Sequence, residues 1–223
     1  MKKKIQKFLV GGVAGVLMLA SVVVVAFAAS TVVYDNLPKP IPGNVASLGF
    51  QATQTSEFGS QVQLASIERN NPTVTVLMSS WGCESGAWFT NDCASALNAT
   101  FTHPITLNIY NVGPDDSVGS LITSKTETFT MPYRPSADNT NCTGGKWFDG
   151  TTCFNGKAFP ISFDLTGASL PDKVIIGVSY NTSNYGPISM GTQPCSSTPE
   201  GCPYDSLNVG LNSAPTVGSS LPS

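Results

Sequence analysis

One imidazole serves the whole chain: His103, directly before Pro104, is the only histidine among 223 residues. A Ser-His-Asp or Cys-His relay needs an imidazole within reach of its nucleophile, and the sequence contains no G-x-S-x-G elbow to present one. His103 therefore reads as a histidine at the head of a strand making one hydrogen bond. Glycoside cleavage needs two carboxyl groups, one raised in pKa, on either side of a scissile bond. Glu57, Glu84 and Glu127 are the acids from which such a pair could be drawn. Asp115-Asp116, and Asp138 with Asn139 and Asn141, offer hard oxygens to calcium, but their spacing matches no EF-hand loop and turns favour the same residues for backbone reasons. No metal ligand and no cofactor is assigned on this basis, and the chain reads as a non-enzyme.

The six cysteines fall into three local couples, Cys83 with Cys93, Cys142 with Cys153, and Cys195 with Cys202. Pairing of neighbours across short polar segments predicts three disulfide-closed loops in an oxidising compartment. Zinc is the competing use of these thiols. The absence of any C-x-x-C spacing and the single histidine argue against it. Aromatic residues gather at the same places: Trp81 and the Trp88-Phe89 pair bracket the first couple, Trp147-Phe148 lies inside the second, and Tyr185 precedes the third. Flat rings on loops either stack on sugar faces and anchor partners, or close the open ends of a β-sheet core.

These loops need strands to carry them. Alternating and β-branched stretches predict strands over 31–34, 60–67, 73–81, 102–112, 121–131, 158–165, 173–180 and 206–211, with Gly113-Pro114-Asp115-Asp116 as a turn. The inward sets are Val62, Leu64 and Ile67; Val74, Val76 and Met78; and Ile105, Leu107, Ile109 and Tyr110. Pro38, Pro40, Pro42 and Gly43 predict an extended edge or linker. No helical period persists after residue 28. The fold class is all-β, an antiparallel β-sandwich with jelly-roll-like or Ig-like connections still open.

Ahead of these strands, Lys2, Lys3, Lys4 and Lys7 precede an apolar run from Phe8 to Ala28 that closes in Ala26-Phe27-Ala28. That is the layout of an export signal with a small-x-small cleavage site, and it predicts a secreted or cell-surface protein. The run is also long enough for a retained anchor, which would be the one route to membrane attachment. The expected organisation is a signal helix over 1–28, a single β-sandwich domain over 29–218 and a disordered or truncated end over 219–223. Beyond the signal, seven basic residues face 14 acidic ones. Nucleic acid is excluded as a partner by that balance and by the lack of a basic cluster. The sequons at Asn98, Asn141 and Asn181 would matter in a eukaryotic secretory pathway and are incidental in a bacterial one.

The stretches YDNLPKPIPGNVASLGFQATQTSEFGSQVQLA, TVTVLMSSWGC, FTHPITLNIYNVG, FTMPYRPSADN, LPDKVIIGVSYNT and SLNVGL are spread along the chain from Tyr34 to Leu211, within a resemblance that runs from Tyr34 to Gly218. On them the chain resembles a group of uncharacterised exported bacterial β-sandwich proteins. The resemblance implies an exported sandwich and brings no reaction, ligand or site residue. It also implies further chain after the TVGSS segment, so a truncated end at Ser223 is part of the expectation. The resulting reading is an exported recognition or adhesion domain that contacts a polysaccharide or cell-envelope component through Trp81, Trp88, Phe89, Trp147, Phe148 and Tyr185. A structural surface or matrix component and a glycoside hydrolase are the alternatives.

Overall fold

Strand β4, Thr100–Val112, is the centre of the molecule, because its alternation puts Ile105, Leu107 and Ile109 on one face at full burial. The computed structural model describes residues 31–49, 56–180, 207–211 and 213–221, and Thr31–Ser223 forms one compact unit. Around β4 lie β1 (Ser47–Gly49), β2 (Glu57–Gln63), β3 (Thr73–Ser80), β5 (Val118–Pro132), β6 (Trp147–Phe148), β7 (Cys153–Phe154), β8 (Lys157–Asp164), β9 (Lys173–Ser179), β10 (Leu207–Gly210) and β11 (Ser219–Ser220). Among the described residues they form a four-stranded sheet ordered β1-β10-β3-β8, a five-stranded sheet ordered β11-β2-β9-β4-β5 and the small β6-β7 hairpin, all antiparallel.

The two larger sheets share one core. Val76 and Met78 of β3, Phe159, Ile161 and Phe163 of β8, and Leu207 of β10 pack with Val62 of β2, Val174 and Val178 of β9, and the inward face of β4. Period-two alternation supplies each of these sets, and burying them is what makes a pleated strand worth forming in water. At one side the sheets are tied by Phe129 of β5 and Phe163, whose rings meet edge to face at 4.9 Å. Lys125 reaches across there to the Asp164 carbonyl at 2.5 Å.

Prolines sit where a ladder can spare a donor. Pro104 pairs with Thr128 on β5, while β4 does not meet β9 until Thr106. Pro160 lies in β8, an edge strand. Both positions follow from the missing N–H.

Several sequence expectations are corrected. Residues 31–34 form no strand; Asp35 instead makes an isolated bridge to Val217, and its carboxylate takes Leu37 N–H at 3.1 Å and the Lys39 ammonium. The strand expected over 60–67 runs earlier, over Glu57–Gln63, and Ile67 lies 83% exposed rather than in the core. Leu64 donates to the Asp172 carbonyl and Ala65 to that of Val33, so the chain has left the ladder before Ile67. Tyr110 turns outward and gives its hydroxyl to Glu57 at 3.0 Å. His103 lies inside β4, fully buried and edge-on to Tyr180 at 5.4 Å, rather than at a strand head. The proposed signal segment and Cys195–Cys202 lie outside the described residues. Among the described residues no helix is long and apolar enough to cross a membrane.

The turns carry a pH dependence. Asp35, Asp92, Asp138, Asp149 and Asp164 are each held below the ordinary carboxyl value of 3.8, by the Lys39 ammonium, the Thr90 hydroxyl, the Asn141 amide, the Thr152 N–H and the Thr166 hydroxyl in turn. A depressed folded value contributes stability that is complete above the unfolded value and disappears as pH falls through the folded one. Calorimetry from neutral pH downward should show the melting temperature dropping more steeply below about pH 4. A midpoint indifferent to acid down to about pH 2 would contradict these assignments.

Candidate functional site

The ends of four strands gather both disulfide loops at one rim. Ser80 of β3 pairs with Lys157 of β8, and Thr100 of β4 pairs with Pro132 of β5. The first loop joins β3 to β4 and the second lies between β5 and β8, so both leave from the same end. Cys83–Cys93 closes with its Cα atoms 5.5 Å apart and Cys142–Cys153 with 5.8 Å, both inside the usual disulfide range. These two pairings are as the spacing predicts.

Within the first loop, Ser85 and Ala94 exchange both backbone hydrogen bonds at 3.0 and 2.9 Å. Asp92 accepts the Ala87 N–H at 3.0 Å and the Thr90 hydroxyl. Gly86 takes φ of +68°, and a Cβ there would fall 2.3 Å from the Asp92 carbonyl oxygen, so only glycine passes. This stitching presents residues 87–90 as a fixed tip. Trp81 and Trp88 meet edge to face at 4.9 Å and Trp88 meets Phe89 at 5.5 Å, with interplanar angles of 83° and 85°. Trp81 is fixed from below, its indole N–H donating to Ser79 Oγ at 3.0 Å while that hydroxyl donates to Asn44 Oδ1 at 2.6 Å. Phe89, at the outer end, is 58% exposed.

The second loop packs differently. The β6-β7 hairpin pairs Trp147 with Phe154 and Phe148 with Cys153. Trp147 was expected among the rim rings, and it is 4% exposed. Its indole N–H donates to the Gly156 carbonyl at 2.6 Å, its ring lies 5.3 Å from that of Phe154, and the Lys157 ammonium sits 5.1 Å from its centroid. A sugar cannot stack on a face that is already covered, so Trp147 serves as packing for this loop. Phe148 is half-buried. Tyr185, Cys195 and Cys202 lie outside the described residues.

A residue that the sequence reading missed holds the two loops together. Arg134 is wholly buried, its Nη2 donates to the Gly145 carbonyl in the second loop at 2.6 Å, and its backbone N–H donates to Gly82 at 3.0 Å beside the first. Ala137 N–H adds a bond to the Cys93 carbonyl at 2.9 Å. Gly145 lies against Asn91, where a Cβ would come 2.7 Å from the Asn91 Cα. No carboxylate among the described residues pairs with the guanidinium, Nη1 has no hydrogen-bond partner there, and burial pushes its pKa down to about 10. The signal available in sequence was faint: Arg134 is one of only two arginines and stands between the first two cysteine couples.

The acids considered for glycoside cleavage have separate local roles. Glu57 accepts Asn108 Nδ2 at 3.0 Å and the Tyr110 hydroxyl, Glu84 accepts the Ala96 N–H, and Glu127 pairs with Lys125 at 2.6 Å. Gly177 makes room for the first of these, since a Cβ there would fall 1.9 Å from Glu57 Oε1. Of the turns considered for calcium, Asp138 spends its carboxylate on the Thr140 and Asn141 N–H groups and the Asn141 amide. Asp116 accepts from Gln61 Nε2 at 3.1 Å. Among the described residues no group of three His, Cys, Asp or Glu could hold a metal.

The class this defines is an all-β protein of antiparallel sheets with two disulfide-closed loops. No family model matches the chain, and neither does any curated protein or solved structure.

Proposed function

We propose that the chain is an exported, non-catalytic recognition module whose Trp81-Trp88-Phe89 rim binds a polysaccharide or cell-envelope component. The observation that carries this reading is the rim itself. Three rings stand in sequence, Trp88 and Phe89 on a loop closed by a disulfide and Trp81 at its base braced by Ser79 and Asn44, and the outermost ring is more than half exposed. Pre-ordered aromatic area lets a ligand bind without first ordering the loop, and rings with two faces suit the apolar face of a sugar.

The winding of the chain adds support. Strands β1 to β10, β2 to β9, β3 to β8 and β4 to β5 pair as one nested antiparallel ribbon with its tip at the 3-10 turn Pro114–Asp116. Rolling that ribbon into two layers is the jelly-roll plan, which recurs in lectin domains. That link is an analogy of fold only. Export is supported by the basic-apolar start of the chain and by the two disulfides, which persist in oxidising compartments. We place the chain with the exported bacterial β-sandwich proteins it resembles.

Leu97, 92% exposed on the stretch between the first disulfide and β4, favours the second reading, a surface or matrix component that associates with copies of itself. The two part in tryptophan fluorescence. Recognition predicts a saturable change in emission on adding polysaccharide at constant protein concentration. A structural role predicts a change that follows protein concentration and ignores the glycan.

A further inference from the structure

Behind the rim, a groove of about 530 Å³ runs between the Pro-rich approach to β1 and the start of β8, lined by Ile41, Pro42, Trp147, Asp149, Lys157 and Phe159 among others. Its volume falls in the range of small-ligand sites. Two charged groups face it without pairing. Asp149 uses Oδ1 to hold the N–H groups of Thr151 and Thr152 at 2.8 and 2.7 Å, which fixes the carboxylate, and Oδ2 makes no hydrogen bond among the described residues. Lys157 lies over the Trp147 ring, with its ammonium making neither a hydrogen bond nor an ion pair among the described residues. Of the apolar lining, Pro42 and Pro160 are exposed, while Phe159 turns most of its ring into the core.

We infer that this groove is a subsite for a neutral saccharide, with a vicinal diol bridging Asp149 Oδ2 and the Lys157 ammonium and the C–H face of the ring against Pro42 and Pro160. The inference rests on the recognition reading above and adds the class of sugar. A hydroxyl can donate or accept, so of two adjacent hydroxyls one can donate a hydrogen bond to Asp149 Oδ2 and the other accept one from the Lys157 ammonium. A fixed carboxylate and an ammonium that feel one another's charge without forming a direct ion pair lose less on binding than a closed ion pair, which must first be broken. The opposed signs also select. An anionic sugar would meet the Asp149 carboxylate and a cationic one the Lys157 ammonium, so each charged ligand gains one contact and is repelled by the other.

The chain has three tryptophans, which makes the test direct. Trp81 and Trp88 report the rim and Trp147 reports the groove, so the three indole N–H resonances of the oxidised full chain, assigned by single Trp→Phe variants, separate the two sites. The probes are the neutral cellotetraose, xylotetraose and mannotetraose against the charged trigalacturonate and chitosan trimer. The expected result is a saturable shift of the Trp147 resonance with a neutral probe, together with at least tenfold weaker binding in Asp149→Asn and in Lys157→Met. The amide oxygen introduced by the first change would still accept the two turn N–H groups, and the thioether chain introduced by the second would still cover Trp147, so neither removes the packing. Movement of Trp88 with Trp147 stationary would overturn the groove and leave the rim standing. A Trp147 shift confined to charged probes would overturn the neutral-diol assignment. Three unmoved resonances across all probes would overturn both groove and rim.

Discussion

Arg134→Ala should destabilise the protein by at least about 2 kcal/mol and loosen the second disulfide loop from the first. Two effects oppose each other at this site. Holding the guanidinium charged in the interior, where its pKa falls from 12.5 to about 10, costs roughly 3 kcal/mol, and truncation relieves that. Truncation also removes charge-assisted bonds to Gly145 at 2.6 Å and Pro135 at 3.3 Å, roughly 1.5–3 kcal/mol each. It leaves a cavity in addition, and large-to-small changes in a core cost about 2–5 kcal/mol. The losses exceed the gain.

Arg134→Met refines the argument. It fills most of the space and removes the charge, leaving the buried Gly145 carbonyl as the main deficit, roughly 1–3 kcal/mol. Chemical denaturation should therefore place Met close to wild type, because relief of the buried charge offsets the lost bonds, and clearly above Ala. A value for Arg134→Ala within about 0.5 kcal/mol of wild type would show that the guanidinium is not the pin between the loops.

Removing either disulfide by paired Cys→Ala substitution should cost about 2–3 kcal/mol, since each closes a short loop, with sequence separations of 10 and 11. Removing both should not cost the plain sum. Gly145 and Asn91 are in contact, and Arg134 bonds to the second loop and beside the first. Groups that share a partner couple by roughly 0.5–3 kcal/mol in a double-mutant cycle. Once one loop is freed, Arg134 has less to hold, and the second disulfide then constrains an element already detached. Effects that add to within about 0.3 kcal/mol would mean that the loops are independent and that the rim is not one cross-linked surface.

What the sequence made legible was whatever alternation and short-range spacing encode. Ile105, Leu107 and Ile109 announce β4, Phe159, Ile161 and Phe163 mark β8, and the two neighbouring cysteine pairs follow from separation alone. Strand ends drifted by a few residues because the ladder, and not the apolar pattern, decides where pairing stops. Strands β1, β6, β7 and β11, of two or three residues each, are too short to show any period. Placing β10 between β1 and β3 required partners more than a hundred residues distant in sequence.

For the site, composition located the aromatic residues but not their burial. Trp81, Trp88 and Trp147 stand in comparable loop contexts, yet one ring is covered by Lys157 and Phe154 while the others form the rim. Arg134 escaped notice for the same reason. A lone arginine in a polar stretch reads as solvated surface, and only the closure of two loops over it turns the guanidinium into an interior group.

The measurement that bears most directly on the recognition claim is retention on a broad glycan and polysaccharide array. The oxidised chain is compared with a Trp88→Ala, Phe89→Ala variant whose melting temperature is checked in parallel. Rim recognition predicts specific, saturable retention by the wild type and at least tenfold weaker binding by the variant, equivalent to about 1.4 kcal/mol or more, at nearly unchanged stability. Equal retention by both proteins, or a variant that loses stability while binding as before, would contradict it and assign these rings to closing the end of the core.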